Sequence, residues 1–218
     1  MGVNVNGTVL PIEELHLSFL VNKLRTEYGF LKSSRGNVPC TEDGRVIPMY
    51  TYPCYEYLRS IDWSDATVFE FGAGFSTVWW NETAKSVVSG VEHNEEWFKS
   101  ISSSLPNSKL TLETDKNKYI NACSGMYDVI VVDGEHRTDC ASHAIEHLND
   151  GGMIILDNTD IYDTAKNILD DADLIPMHFH GFKPIHVETE TTSCYVKRDF
   201  NRKPISILPM GGTKRELI

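Results

Sequence analysis

Short apolar runs alternate with amphipathic segments through most of this chain. Runs rich in β-branched and aromatic residues predict five strands, at 67–71, 86–92, 109–113, 127–133 and 152–157. The segments between them predict helices or turns, at 76–85, 95–105, near Lys118 and at 139–148. Because parallel strands are joined by crossover connections that are usually helical, this alternation predicts a parallel sheet with helices on both faces.

The pattern differs at the two ends of the chain. Apolar positions from 13 to 28 recur at roughly helical spacing and predict an N-terminal helix. The stretch 32–53 is rich in Gly, Pro and Ser and predicts a loop that ends in aromatic residues. After a predicted helix at 164–172, the segments 174–182 and 191–198 are strand-like with a short connection. We therefore expect an antiparallel pair that closes the sheet.

Charge and composition narrow the class of partner. The 218 residues carry a formal net charge of −11 with a pI near 5.1, which argues against nucleic acid because phosphate binding needs clustered Lys and Arg. No apolar run approaches the roughly 18 residues of a membrane span, and the first residues lack the pattern of a signal peptide. The five cysteines form no CxxC pair, so neither a zinc knot nor a disulfide framework is indicated. We expect a cytoplasmic protein with no membrane partner and a neutral or cationic small substrate.

Two glycines after the first predicted core strand suggest a ligand site. Gly72 and Gly74 stand at a strand-to-helix turn, where the backbone of an α/β protein can approach a ligand closely. A dinucleotide site favours a third glycine at position 77, where this chain has Thr77. Glu70 suits an ammonium group better than a pyrophosphate, and Glu92 closes the second strand, where a carboxylate can accept both hydroxyls of a ribose. A ligand with a ribose and a positive charge but no phosphate is S-adenosylmethionine.

Four motifs in order carry a family resemblance. They are Glu70-Phe-Gly-Ala-Gly74, Val91-Glu-His93, Tyr127-Asp-Val-Ile-Val-Val-Asp-Gly134 and Gly151-Gly-Met-Ile-Ile-Leu-Asp-Asn158. Together they resemble the successive motifs of class I S-adenosylmethionine-dependent methyltransferases, over about residues 50–198. The resemblance implies an α/β fold, a Rossmann-like seven-stranded, mostly parallel sheet with helices on both faces and an antiparallel last strand.

The resemblance also implies roles for individual residues. Glu70, Gly72 and Gly74 would face the methionine portion of S-adenosyl-L-methionine, and Glu92 would bind its ribose. His93, Thr114 and Asp115 would lie near the adenine. The full set of predicted cofactor-binding residues is Glu70, Gly72, Gly74, Ser76, Thr77, Glu92, His93, Thr114, Asp115 and Asp133.

We expect one methyltransferase domain over residues 1–218, because its hydrophobic content of 41% can bury one sizeable core. Residues 1–60 would form an N-terminal helix and a loop that covers substrate or cofactor. Residues 61–198 would form the cofactor-binding core, and 199–218 a C-terminal tail.

A second set of polar residues predicts a metal site and a base. Asp133 follows the fourth core strand, and Asp157 and Asn158 follow the fifth, so their oxygens suit Mg²⁺ or Mn²⁺. This arrangement resembles the metal site of catechol-type and caffeoyl-CoA-type O-methyltransferases, in which the metal acidifies the acceptor hydroxyl. His136 occupies the position of the catechol-type lysine base and could take a proton near neutrality. Helix capping by Asp157 and Asn158, and an ordinary loop position for His136, remain alternatives.

The segment 178–194 resembles a group of small bacterial and viral methyltransferases associated with glycan assembly. A sugar hydroxyl is therefore the favoured acceptor, with a phenol second. The aromatic stretch 50–53 could cover the cofactor or pack into the core, and the pair at 79–80 is expected in the core.

The sequence thus predicts an O-methyltransferase that works by in-line displacement on the sulfonium methyl, with Asp133 and His136 as catalytic residues. Two other classes stay open. A nicotinamide-dependent oxidoreductase would share the sheet and Glu92, and a non-catalytic module would bind the nucleoside without turnover. The acceptor and the oligomeric state cannot be read from the sequence.

Overall fold

The computed structural model describes residues 2–5, 8–84, 88–105 and 107–210. The strands there are β1 (Gly2–Val5), β2 (Thr8–Pro11), β3 (Val68–Phe71), β4 (Ser89–Glu92), β5 (Lys109–Leu112), β6 (Tyr127–Val132), β7 (Leu148–Asp157), β8 (Ile175–Phe182) and β9 (Thr189–Val196). The helices are α1 (Ile12–Thr26), α2 (Phe30–Gly36), α3 (Tyr52–Arg59), α4 (Phe75–Thr83), α5 (Glu95–Ser104), α6 (Lys116–Asn121), α7 (Arg137–Glu146) and α8 (Asp163–Asp170).

Seven strands form one sheet in the order β5-β4-β3-β6-β7-β9-β8. The first five are parallel, and β9 runs antiparallel to both of its neighbours. This confirms the predicted seven-stranded sheet with a closing antiparallel pair. The carboxyl ends of β3, β4, β6 and β7 therefore meet along one side of the sheet, which we call the carboxyl edge. Strand order reverses between β3 and β6, the position at which open α/β sheets bind ligands.

Several local predictions need correction. The hairpin of β1 and β2 was not predicted, and the last five residues of α2 lie in the stretch 32–53 that was predicted to be a loop. In α2, the buried Ser33 hydroxyl lies within hydrogen-bond distance of the backbone carbonyl oxygens of Gly29 and Cys40, at 3.0 and 2.9 Å, and so ties the helix to the segment that follows it. The predicted strand 86–92 is observed from Ser89, and residues 85–87 lie outside the described part of the chain. No helix within the described ranges is long and apolar enough to cross a membrane.

The sheet is buried on both faces, as a parallel sheet requires. One face packs against α3 and α4, where Trp63, Trp79 and Trp80 form edge-to-face ring contacts. The hydroxyl of Tyr50 accepts a hydrogen bond from the indole of Trp80 at 3.3 Å. The other face packs against α6, α7 and α8. The tryptophan pair Trp79 and Trp80 is thus in the core, as expected. Tyr50 is also fully buried, so it packs in the core and does not cover a ligand.

Two turns touch at the carboxyl edge. Gly72, after β3, has a φ of 91°, which strongly favours glycine. A Cβ atom on Gly72 would lie 2.5 Å from Cα of Gly134, which belongs to the turn after β6. A Cβ atom on Gly134 would in turn lie 2.2 Å from the hydroxyl oxygen of Tyr119 and 2.7 Å from Cα of Gly72. Only two residues without side chains allow β3 and β6 to end side by side in this way.

Gly134→Ala should lower the free energy of unfolding by ~2 kcal/mol or more, because the added methyl group meets backbone on one side and a buried phenol on the other. Urea denaturation measures this loss. Gly36→Ala is the matched control, since its methyl group would meet no heavy atom within 4 Å. Equal unfolding midpoints for the two variants would contradict the packing described.

Candidate active site

A cavity of about 530 Å³ opens at the carboxyl edge, over the junction of β3, β4 and β6. Its described lining comes from the turn after β3, the end of β4 with the start of α5, and the turn after β6. These residues are 72–76, 92–94, Trp97, 133–135 and Arg137, with Met49 and Tyr162 at the sides. The predicted glycines, Ser76, Glu92, His93 and Asp133 are therefore brought together around one space.

Glu70 lies beneath the glycine turn and not on the cavity surface. It is fully buried, and its two oxygens accept hydrogen bonds from the hydroxyls of Ser76 and Thr77. The Thr77 hydroxyl also accepts from the backbone N–H of Gly74 at 2.8 Å. Burial raises the pKa of Glu70 to about 8. Glu70 and Thr77 thus brace the turn from below, whereas Ser76 reaches the cavity.

The second glycine leaves space rather than strain. A Cβ atom on Gly74 would lie 3.7 Å from the indole nitrogen of Trp97, an ordinary contact. That indole N–H donates to the carbonyl oxygen of Ala73 at 2.7 Å, and its ring meets Phe75 edge-on at 5.3 Å. The side chains of Trp97 and Phe75 therefore form an aromatic wall beside the turn. Sequence reasoning missed this wall because nothing in the local pattern of α5 distinguishes it from packing.

Glu92 presents one oxygen to the cavity. Its Oε1 accepts from the backbone N–H groups of His93 and Asn94, at 2.9 and 2.7 Å, and lies 3.1 Å from Nδ1 of His93. All these contacts of the described residues fall on Oε1, which leaves Oε2 as an available acceptor. Nε2 of His93 lies 3.8 Å from a carboxylate oxygen of Glu135 on the turn after β6. His93 therefore links the ends of two strands.

Asp115 and Thr114, at the next strand end, do not line this cavity. The Asp115 carboxylate accepts from the backbone N–H of Lys118 at 3.0 Å and caps α6. Their proposed position near an adenine stays a prediction.

Asp133 is held on one side only. Its Oδ1 lies 2.9 Å from Nη2 of Arg137, and no described residue is bonded to Oδ2. Burial raises the pKa of Asp133 to about 7; the nearby Asp157 charge adds to this effect and Arg137 opposes it. Asp133 therefore combines a fixed orientation with a carboxylate oxygen that faces the cavity.

Arg137 joins the ends of β6 and β7 and was missed by sequence reasoning. Nε donates to the carbonyl oxygen of Gly134 at 3.1 Å, and Nη1 donates to the carbonyl of Asp157 and to Oδ1 of Asn158 at 2.6 and 3.0 Å. Nη2 donates to the carbonyl and the side chain of Asp133, at 3.3 and 2.9 Å. All five N–H groups are thus satisfied within the protein. The Tyr162 ring covers the guanidinium at 4.2 Å.

The predicted metal site does not fit this arrangement. Asp157 is buried, its Oδ1 accepts from the Thr192 hydroxyl at 2.5 Å, and its Oδ2 from the Lys183 ammonium at 3.0 Å. The amide oxygen of Asn158 is bonded to Arg137. In the described ranges no group of three or more His, Cys, Asp and Glu side chains is arranged to hold a metal ion. Protein cations and a hydroxyl therefore hold both carboxylate oxygens of Asp157, the amide oxygen of Asn158 and Oδ1 of Asp133, which leaves only Oδ2 of Asp133 without a described partner.

His136 also departs from its predicted place. It has a φ of 57° and precedes α7, and its ring meets Tyr119 edge-on at 5.8 Å. His136 is not among the residues that line the cavity. The structure gives no contact that would make it a catalytic base.

No family model matches the chain, and no curated protein sequence matches it significantly. Solved structures do. A protein from Staphylococcus aureus provisionally named a caffeoyl-CoA O-methyltransferase has a TM-score of 0.52 at 12% identity, over 86% of this chain and 100% of that one. The O-methyltransferase TomG from Streptomyces achromogenes, solved with S-adenosylmethionine, has a TM-score of 0.51 at 12% identity, over 67% and 78%.

This chain has the fold of methyltransferases. A third structure, provisionally named an O-methyltransferase from Klebsiella pneumoniae, matches at a TM-score of 0.50 and 14% identity, over 67% of this chain and 78% of that one. The methyltransferase fold was expected from the four motifs, and these likenesses confirm it.

Stability should depend on pH through Glu70. Because its pKa is raised in the folded protein, Glu70 keeps a proton there that the unfolded chain releases, so this contribution is complete at acid pH and is lost as pH rises to about 8. Its slope is ~1.4 kcal/mol per pH unit at most. Urea titrations across this range should show a steeper loss of stability in the wild type than in Glu70→Gln. Parallel profiles for the two proteins would contradict the raised pKa; Glu82→Gln, an exposed carboxylate, should behave as the wild type.

Proposed function

We propose that this chain is an S-adenosylmethionine-dependent O-methyltransferase that acts on a sugar hydroxyl. The observation that carries the proposal is the pairing, in one cavity, of a glycine turn with the free Oε2 of Glu92 at the next strand end. A ribose donates hydrogen bonds from two hydroxyls, and a carboxylate at this position accepts them.

The charges of the cavity favour a nucleoside without phosphates. Arg137 is the one Lys or Arg among the described lining residues, and its N–H groups are already used. The lining instead contains the carboxylates of Glu92, Asp133 and Glu135. A pyrophosphate would be repelled there, whereas a sulfonium group and an ammonium group would be stabilised. This charge pattern disfavours the nicotinamide alternative, as does Thr77 in place of a third glycine.

The cavity divides into parts that suit the two ends of the cofactor. Gly72 and Gly74 leave room for the methionine portion, and Ser76 offers a hydroxyl beside it. His93 and Asn94 line the cavity next to Glu92, and their side chains suit an adenine. The bound cofactor supplies an electrophilic methyl group; all other steps fall to side chains of this protein.

Asp133 is the proposed base. Its Oδ1 is fixed by Arg137, and its Oδ2 can accept the proton of an acceptor hydroxyl as the oxygen attacks. A pKa raised to about 7 suits a general base near neutral pH. His136 is not the proposed base, because its ring lies against Tyr119 and it does not line the cavity.

A neutral sugar fits the cavity walls better than an anionic acceptor. Polar acceptors from Glu135 and Asp133 can bind hydroxyls, and the half-exposed Tyr162 ring offers a face on which a sugar ring can stack. A phosphorylated acceptor would find no free cation among the described lining residues. A phenol remains the second acceptor class to be tested.

The proposed setting is a reducing compartment such as the cytoplasm. All five cysteines are free and buried. The sulfurs of Cys54 and Cys194 lie 3.8 Å apart without a disulfide, which supports but does not require such a compartment.

Glu92→Gln tests the nucleoside site. Oε1 and its backbone hydrogen bonds are kept, but a donor replaces the oxygen that faces the ribose, so affinity for S-adenosylhomocysteine should fall roughly tenfold to a hundredfold. Calorimetry measures this, with Glu82→Gln as the control of equal charge change. NADH should give no heat with the wild type. Tight NADH binding, or unchanged nucleoside affinity in Glu92→Gln, would contradict the assignment.

Asp133→Asn tests the base. The amide oxygen can still accept from Arg137, but no proton can be taken, so turnover should fall by about 10²- to 10⁴-fold while nucleoside affinity stays similar. Formation of S-adenosylhomocysteine is followed against pools of sugars and of phenols. Asp139→Asn, an exposed change on α7, should retain full turnover. Near-normal turnover in Asp133→Asn would remove the residue from the mechanism.

A further inference from the structure

Lys183 is a buried cation on the connection between β8 and β9. It is only 3% exposed, although lysine is rarely buried without partners. Its ammonium lies 3.0 Å from Oδ2 of Asp157 and 2.5 Å from Oε2 of Glu190. Burial alone would lower the pKa of Lys183, but the two carboxylates outweigh it and raise the pKa. The side chain is therefore charged.

Arg137 and Lys183 belong to one network. Glu190 also accepts from the side-chain N–H of Asn158, whose amide oxygen accepts from Arg137. The network thus runs from Lys183 through Glu190 and Asn158 to Arg137, and Arg137 ends on Asp133. Each residue of the metal site that the sequence suggested, Asp133, Asp157 and Asn158, therefore contacts Arg137 or Lys183 through a side-chain oxygen.

We propose that Arg137 and Lys183 are a built-in cation pair that takes the place of a divalent metal ion at this strand edge. Arg137 gives the orienting contact to Asp133, and Lys183 neutralises Asp157 and Glu190. An entering ion that used these side-chain oxygens would have to displace the hydrogen bonds of Arg137 to Asp133 and Asn158 or the contact of Lys183 with Asp157. Arg137 is a positioning residue, because it acts through Asp133.

The consequence for catalysis rests on the proposed function: methyl transfer would need no divalent ion, and the proton of the acceptor would pass to Oδ2 of Asp133 directly. The exclusion of metal does not rest on it, since it is argued from contacts among the protein's own side chains.

Mn²⁺ binding tests the proposal without any turnover. Free Mn²⁺ is followed by electron paramagnetic resonance as it is titrated into the full chain. The wild type should bind none at this site. Lys183→Met removes the ammonium group that Asp157 and Glu190 share, so it should bind Mn²⁺ where the wild type does not, and adding Asp157→Asn should abolish that gain. A Lys183→Met protein that folds and gains no Mn²⁺ affinity would overturn the proposal.

Stability gives the second readout. Lys183→Met should show a clearly larger fall in its urea midpoint than Lys166→Met, because Lys166 makes an exposed i,i+4 pair with Asp170 on α8. Lys183→Arg should recover part of the loss. Equal falls for the two methionine variants would overturn the proposal. If Lys183→Met cannot be purified, wild-type Mn²⁺ binding that Asp157→Asn removes would still overturn it.

A chelator separates this proposal from the proposed function. Wild-type turnover should be unchanged by added EDTA, and loss of turnover that Mg²⁺ restores would overturn the cation pair. If no acceptor is methylated at all, the proposed function fails, and the Mn²⁺ and stability measurements still decide whether the cation pair excludes metal.

Discussion

The contact between Gly72 and Gly134 is the constraint on which the site depends. Strands β3 and β6 are hydrogen-bonded neighbours, and their turns can leave the sheet side by side only if neither carries a side chain at the crossing. This contact puts Asp133 next to the glycine turn and starts α4 and α7 from adjacent points. The cavity is the space left above that crossing. A bulkier residue at either position would separate the turn that receives a ligand from the carboxylate proposed to act on it.

The acidic residues at the carboxyl edge are stabilised by different groups. Glu70 has a pKa raised by burial and is held by two hydroxyls. Glu92 is held by backbone N–H groups on one oxygen, and Asp133 by Arg137 on one oxygen. Asp157 is compensated fully by Lys183 and Thr192. The result is a cavity that offers hydrogen-bond acceptors and negative charge. The cations that balance this charge, Arg137 and Lys183, have protein groups as their partners. Ligands that donate hydrogen bonds or carry positive charge suit such a cavity.

The sequence predicted the parts of this account that depend on local pattern. Apolar β-branched runs predicted the core strands. Glu92, the last residue of β4, and Asp133, directly after β6, are at the cavity because parallel strands end on one side of a sheet. The hydroxyls of Ser76 and Thr77 were included in the site, but their bonds to Glu70 depend on the depth of that side chain, which a pattern does not give.

The remaining features depend on contacts between distant segments. Lys183 reaches Asp157 only because β8 and β9 fold back along β7, and Arg137 satisfies its donors only because β6 and β7 end together. The metal hypothesis was therefore reasonable from residue types and wrong about what holds their oxygens. Trp97 was missed for a similar reason, since its place beside Gly74 depends on how α5 packs. Tertiary partners decide these roles, and local sequence does not name the partners.

A crystal structure of the chain with S-adenosylhomocysteine tests the central claim most directly. We expect the nucleoside over the glycine turn, with its ribose hydroxyls within hydrogen-bond distance of Oε2 of Glu92 and its sulfur facing Oδ2 of Asp133. Arg137 should keep the contacts described here. A ribose far from Glu92, or a nucleoside bound away from the carboxyl edge, would contradict it.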